Sequence, residues 1–349
     1  MIDFCNKTNH LIVGRGATAI FLVLKAHFFK KKVLLPANIC YAAVYPVLYS
    51  DNMPIFCDVD MHSGNVTLDD VKPYINDISA MIIPHMYGNP NNDIRAIANL
   101  CKKHNILLIE DCASAMGAQI NDTFVGSYGD YSIFSTGYSK TIDVGNGGLL
   151  ASNSSLKLEQ EIYEKLPEYS QEIHEKNQLF SKCYRHFRNS GENIISSSFF
   201  DVVNEDLSGN YLYRIDSSFE KILLARINQL PTVIEERRYK LELYNQYLRF
   251  DHELISDYAF SEKAVPWRKN IMVNPVCKTN LVNHLLEKQI PVSDWYPDVS
   301  SLFGDDGVYP SVKYMEKQIL NFPLLIPDSE IEYISKTINS YLMCMKESE

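Results

Sequence analysis

The feature that most constrains this chain is a series of short apolar runs separated by helix-length segments. "HLIV", "KVLLP", "MPIFCDVD", "SAMIIPH", "ILLIED", "YSIFST" and "GGLLASN" each have the length of a strand. Between them lie helical patterns: residues 17–29, "ICYAAVYPVLYSD" and the amphipathic "DIRAIANLCKKHN". Strands alternating with helices of this length read as βαβ units that build a mostly parallel α/β sheet. Ligands of such sheets bind beyond the carboxyl ends of the strands. The residues at those ends are Pro36, His85, Asp111 and Ser135.

The second half reads differently. Residues 155–205 are polar and irregular, with "LPEYSQEIHEKNQ" as a helical stretch. Residues 217–250 read as one long amphipathic helix bent at Pro231. Beyond it "NIMVNPV", "NLVNHLLEKQI" and "DSEIEYISKTINSYL" suggest a small α+β unit. The 349 residues therefore divide into a large domain, residues 1–225, and a small C-terminal domain, residues 226–349.

Composition narrows the class of partner. A formal charge of −10 argues against binding nucleic acid through phosphate neutralisation. The run Lys30-Lys31-Lys32 reads as the cationic end of the preceding helix. Eight scattered cysteines without a CxxC pair read as buried, reduced thiols. The histidines show no metal-ligand spacing, so no metal is expected. "MIDFCNKTNH" lacks a signal-type apolar core, and no apolar run approaches the ~20 residues needed to cross a bilayer. A cytoplasmic protein with no membrane partner is expected.

Chemistry enters at "ILLIEDCASAMGA", where a strand ends in Glu110-Asp111. Asp111 could cap the next helix, or it could keep a heterocyclic nitrogen protonated. Lys140 follows one strand later, in "GYSKTIDVGNGG", among small and polar residues. Taken alone it could be one more solvated charge. Pyridoxal phosphate (PLP) needs both groups: a lysine for the Schiff base and an acid facing the pyridinium nitrogen. It also needs a phosphate cradle, which helix N-termini supply. "GRGATA" opens a helix with the amides of Gly16, Ala17 and Thr18 and the Thr18 hydroxyl, and Ser135 adds another hydroxyl. The same six residues fit a dinucleotide fingerprint, which wants an acid about 20 positions on. No Asp or Glu occurs between Asp3 and Asp51, so that reading loses its second half.

Together the segments "MIIPHMYGNPNNDIRAIANLCKKHNILLIEDCASAMGA" and "VGSYGDYSIFSTGYSKTIDVGNGGLLASN" resemble the DegT/DnrJ/EryC1/StrS aminotransferases. These are PLP enzymes of fold type I that act on keto-sugars. The likeness runs over residues 11–153 and is weaker beyond, in "YLYRIDSSFEKILLARINQL" and "LNFPLL". It implies roles by position. Lys140 matches the lysine that bonds the cofactor and then moves protons, and Asp111 the acid at the ring nitrogen. Ser114 stands where the family usually has Gln, beside the ring. Ser135 matches the phosphate-binding serine, and Gly16, Ala17 and Thr18 the phosphate turn. Arg214 matches an arginine that reaches the site across a dimer interface.

Several positions depart from the family pattern. The usual Asn of the "N-Y-R" motif is Leu212, with Asn210 two places off. The ring-stacking aromatic falls at Cys40, so Tyr41 or Tyr87 is the substitute, and the usual His of "H-x-x-K" is Gly137. The family commonly carries a further segment ahead of "GRGATA" that helps build the cleft and the dimer. His85 reads either as a substrate contact or as a structural residue, with Tyr87 beside it as a second substrate candidate. "DWYPD", residues 294–298, reads as a lid over a sugar or as a packed turn.

The resemblance implies a homodimeric aminotransferase. It would move an amino group from an amino acid, glutamate foremost, to a nucleotide-linked keto-sugar for lipopolysaccharide or a similar glycan. A PLP-dependent sugar dehydratase and a non-catalytic PLP-binding regulator remain as alternatives. A related dehydratase has His at the lysine position, so Lys140 favours amino transfer.

Overall fold

The computed structural model describes residues 4–190, 210–250 and 253–346. Its first half folds around seven strands: β1 (Asn9–Val13), β2 (Lys32–Pro36), β3 (Met53–Cys57), β4 (Ala80–Pro84) and β5 (Leu107–Asp111), then, past a small hairpin, β8 (Tyr131–Ser135) and β9 (Gly148–Ser152). The hairpin is β6 (Gln119–Ile120) and β7 (Thr123–Phe124). The sheet order is β1-β9-β8-β5-β4-β2-β3. The strands from β3 to β8 run parallel, and β9 is antiparallel to both β8 and β1. Every residue of β4 is buried, as expected of a strand covered by helices on both faces.

The helix Gly16–His27 is buried from Gly16 to Leu24, so it serves as a core element. Arg15 precedes it in extended conformation, and no side chain caps its N-terminus. The lysine run does not end this helix. Lys25 and His27 occupy its last turn, Lys30 turns into left-handed backbone (φ 54°), and Lys32 already begins β2.

Two further expectations change. The long C-terminal helix is broken: Ser217–Ile227 and Leu230–Tyr247 are separate, parted at Asn228 and Gln229. Pro231 lies in the first turn of the second helix, where its missing N–H costs nothing. Residues 155–190 are mostly helical, as Lys157–Tyr163 and Gln171–Ser190; residues 191–205 lie outside the described residues.

Beyond the break, an antiparallel sheet of β10 (Ile255–Asp257), β11 (Lys269–Val273) and β12 (Ile319–Phe322) packs with helices Pro275–Glu287 and Asp328–Lys346 around a second apolar core. The helix Leu230–Tyr247 joins the two bodies. Leu230 and Val233 pack with Ala115 and Met116 of the first, whereas Leu241 and Tyr244 belong to the second core.

Candidate active site

Glu110 and Asp111 are adjacent on β5, so strand alternation sends them to opposite faces of the sheet. Glu110 is fully buried and saturated. Its Oε1 accepts from Gly126 N (2.5 Å) and His85 Nε2 (2.9 Å), and its Oε2 from the N–H groups of Tyr128 and Gly129 (2.8 Å each). Burial alone would raise this carboxyl; the bonds from His85, Gly126 and Gly129 outweigh it and hold the group below its ordinary value. Asp111 is also buried, but its carboxyl accepts one hydrogen bond among the described residues, from Ala113 N (2.9 Å). Burial pushes its carboxyl up, offset in part by that N–H and by the charge of Lys140. A buried acid with spare acceptor capacity suits a cationic ring nitrogen.

Lys140 sits in a loop between β8 and β9 that its own residues hold in shape. Asp143 accepts from Ser139 N (2.6 Å) and Gly145 N (2.8 Å), and Ser139 takes left-handed backbone at φ 67°. The Lys140 Nζ donates to Ser114 Oγ (3.3 Å), so Lys140 and Ser114 meet beside Asp111. Ser135 packs against the start of the uncapped helix: a Cβ on Gly16 would lie 3.3 Å from Ser135 Cβ and 3.7 Å from its Oγ. A hydroxyl pressed against a helix N-terminus that no side chain caps is a fitting phosphate cradle. The residues present therefore fit PLP at both ends, ring nitrogen and phosphate.

Other expectations are revised. The Thr18 hydroxyl is spent as a donor to the Tyr211 carbonyl (2.5 Å), which leaves only its backbone N–H for a ligand. His85 has no ring nitrogen left for a substrate. Its Nδ1 accepts from Asn91 N (2.9 Å), which fixes the proton on Nε2, the donor to Glu110. His85, Glu110 and Cys112 lie within 4.8 Å of one another in a metal-like grouping, but the four bonds to Glu110 already account for its oxygens. Tyr87 is fully buried against Tyr258, and its hydroxyl accepts from Tyr296 N (3.2 Å). Tyr41 stacks on Tyr184, with ring centres 3.7 Å apart. Arg214 lies outside this cleft in the protomer. Its Nε donates to the Leu166 carbonyl (2.8 Å) and its Nη2 pairs with Glu168 (3.3 Å).

Four residues of the second body reach the cleft without having been singled out individually by the sequence reading. Tyr296 is buried, and its hydroxyl, pushed well up by that burial, lies near Ser114, Cys40 and Asp111. Its ring stacks on Trp267 (5.5 Å). Trp267 donates from its indole to the Ser139 carbonyl (2.8 Å), and Arg237 Nη2 to the Lys140 carbonyl (3.0 Å). Arg268 Nη2 reaches Ser139 Oγ at 3.3 Å. The segment "DWYPD" pointed at Tyr296; no sequence signal marks Arg237, Trp267 or Arg268.

Comparison with known proteins gives the family and the fold. The model of the DegT/DnrJ/EryC1/StrS aminotransferase family matches residues 1–323. A GDP-perosamine synthase of Escherichia coli O157:H7 is 25% identical over 341 residues, covering 94% of this chain and 84% of that protein. The solved aminotransferase TlmJ of Streptoalloteichus hindustanus superposes with a TM-score of 0.77 at 20% identity, over 96% of this chain and 86% of its own. An E. coli GDP-4-keto-6-deoxy-D-mannose-3-dehydratase, solved with bound hydrated PLP, superposes with a TM-score of 0.73 at 18% identity, over 95% and 88%. The chain belongs to the DegT/DnrJ/EryC1/StrS aminotransferase family, with the fold of PLP-dependent aminotransferases and pyridoxal phosphate as its cofactor.

Proposed function

We propose that this protein transfers an amino group from an amino acid, glutamate foremost, to a keto-sugar. A nucleotide-linked sugar destined for lipopolysaccharide or a similar surface glycan is the acceptor this reading favours. It is supported by the relative that makes GDP-perosamine. The observation that carries it is the convergence of Lys140 and Asp111 on one cleft, with Ser114 bonded to the lysine.

When bound, PLP supplies the electron-withdrawing ring that makes the donor's α-proton removable. The rest falls to the protein's own residues. Lys140 would hold the cofactor through its Nζ. Its freed Nζ then removes the proton from the donor Cα and, in the second half of the cycle, delivers one to the sugar carbon. Asp111 would accept the hydrogen bond of a protonated ring nitrogen, a cation that would offset the burial that otherwise pushes its carboxyl up. Ser135 and the amides of Gly16, Ala17 and Thr18 take the phosphate. Ser114 orients Lys140 Nζ.

We assign the chain two domains, 1–225 and 226–349, with the helix Leu230–Tyr247 as their link. A homodimer would bring the partner's Arg214 toward this cleft. No described helix is long and apolar enough to cross a membrane, and the cytoplasm is the proposed location.

Sugar dehydration is the second reading, since a structural neighbour is a GDP-4-keto-6-deoxy-D-mannose-3-dehydratase. Lys140 is the residue that favours amino transfer. The test is borohydride reduction of the PLP-loaded protein followed by peptide mapping, with nitrogen exchange between labelled glutamate and keto-sugar. Label on Lys140 and exchange of nitrogen are expected. Full turnover in Lys140→Ala, or sugar deoxygenation without exchange, would refute the assignment.

A further inference from the structure

Two arginines from the second body stand beside Lys140, and they differ in what their donors already do. Arg237 is 4% exposed and committed to the main chain. Its Nη1 donates to the carbonyls of Pro266 (3.2 Å) and Trp267 (2.9 Å), and its Nη2 to that of Lys140 (3.0 Å). It holds the loop with both Nη groups, and its buried Nε has no partner among the described residues. Arg268 is half-buried, and its hydrogen bonds among the described residues go to hydroxyls: Ser293 Oγ at 3.1 Å and Ser139 Oγ at 3.3 Å. Its guanidinium lies over the Trp267 ring, 4.7 Å from the centre. Its own burial lowers its pKa, and the hydroxyls of Tyr296 and Tyr138 are near enough to act on it.

A half-buried guanidinium without an anion is costly unless something brings the anion. Hydroxyl partners are exchangeable, because a serine can turn its O–H toward an incoming oxygen. Arg268, Ser139 and Lys140 line one cavity of about 210 Å³. That is less than the ~300–1,000 Å³ of clefts that enclose drug-sized ligands, and suits an amino acid better than a nucleotide sugar. In the donor, the α-carboxylate is bonded to the carbon that carries the amine. The group that orients it must therefore share the cavity of Lys140.

We propose that Arg268 receives the α-carboxylate of the amino donor as a planar fork, with Ser139 and Ser293 contributing hydroxyl donors. The inference rests on the amino-transfer reading and deepens it, assigning donor recognition to β11's N-terminal flank. The Arg268 contacts then select an amino acid over a simple amine, while Arg237 keeps the Lys140 peptide in place.

The experiment is single-turnover absorbance of the PLP-loaded protein mixed with L-glutamate or L-alanine, in wild type, Arg268→Gln and Arg268→Lys. PLP affinity is measured separately by titration of the apoprotein. The half-saturating concentration of both amino acids should rise about 10- to 100-fold in Arg268→Gln, the worth of a charge-assisted pair. Arg268→Lys should recover part of it, since charge returns but the fork does not. PLP affinity should stay within about twofold. Unchanged saturation, or PLP affinity falling in step with it, overturns the proposal; so does a penalty on glutamate alone, which would assign Arg268 to the side-chain carboxylate. No spectral change with either donor in the wild type would instead refute amino transfer itself, and the proposal with it.

Discussion

Replacing Glu110 with Gln changes one oxygen to an NH2 and nothing in shape, yet it should cost this protein a large part of its stability. In the native structure the two carboxylate oxygens face four donors: His85 Nε2 and Gly126 N on one, Tyr128 N and Gly129 N on the other. Whichever way the amide turns, its NH2 meets two N–H groups head on. His85 cannot relieve one side by changing tautomer, because Asn91 N–H already holds its Nδ1 as an acceptor. Two buried donors left without an acceptor, at about 1–3 kcal/mol each, put the loss at about 2–6 kcal/mol. That is a large share of the ~5–15 kcal/mol that holds a typical protein folded.

The assay is urea unfolding of wild type and Glu110→Gln as a function of pH, followed by tryptophan fluorescence. Because the folded-state carboxyl lies below its ordinary value, its contribution is complete above the ordinary Glu range. It is lost as pH falls through the folded value. The gap between the two proteins should therefore be widest near neutrality and shrink below about pH 4. A gap under about 1 kcal/mol at pH 7, or one that widens on acidification, would refute the reasoning.

Asp111→Asn should act with the opposite sign. Burial raises the Asp111 carboxyl, so wild-type apoprotein loses stability as pH rises from the ordinary Asp range through the folded value. The variant should be the more stable apoprotein at pH 7, an advantage that vanishes at low pH in thermal melts. Its turnover should fall by at least ~100-fold once loaded with PLP, as expected for removal of one electrostatic partner; unimpaired turnover would remove Asp111 from the mechanism. Gly88 and Gly145 both hold left-handed backbone (φ +86° and +80°), but a Cβ on Gly88 would lie 1.9 Å from the Val265 carbonyl oxygen, whereas none lies within 4 Å at Gly145. Gly145→Ala should cost the ~1–2 kcal/mol of the backbone alone, and Gly88→Ala about 1–3 kcal/mol more for the clash. Equal melting temperatures for the two variants would contradict the packing at Gly88.

What the sequence could and could not reveal follows from which contacts are local. The pair Glu110-Asp111 at a strand end, Ser135 at another, and Lys140 in a loop of small residues were all legible, because strand alternation and loop composition are written within a few residues. The same window could not tell which acid was chemical and which structural. That depends on the N–H groups of Gly126, Tyr128 and Gly129 gathering around one of them. His85 was ambiguous for the same reason: its state is decided by Asn91. Pro231 looked like a bend and proved harmless, since a first-turn proline loses no bond; the break fell just before it.

Least legible were Arg237, Trp267, Arg268 and Tyr296, which carry no shared spacing and meet only when the second body folds back on the Lys140 loop. Three of them bond the main chain or hydroxyls of residues 139 and 140. The placement of Lys140 Nζ is therefore a property of both bodies, although its chemistry is written in one short stretch of the first. A change that loosens the second body, such as loss of the Arg237 fork, should thus disturb the lysine without touching the cleft's own residues.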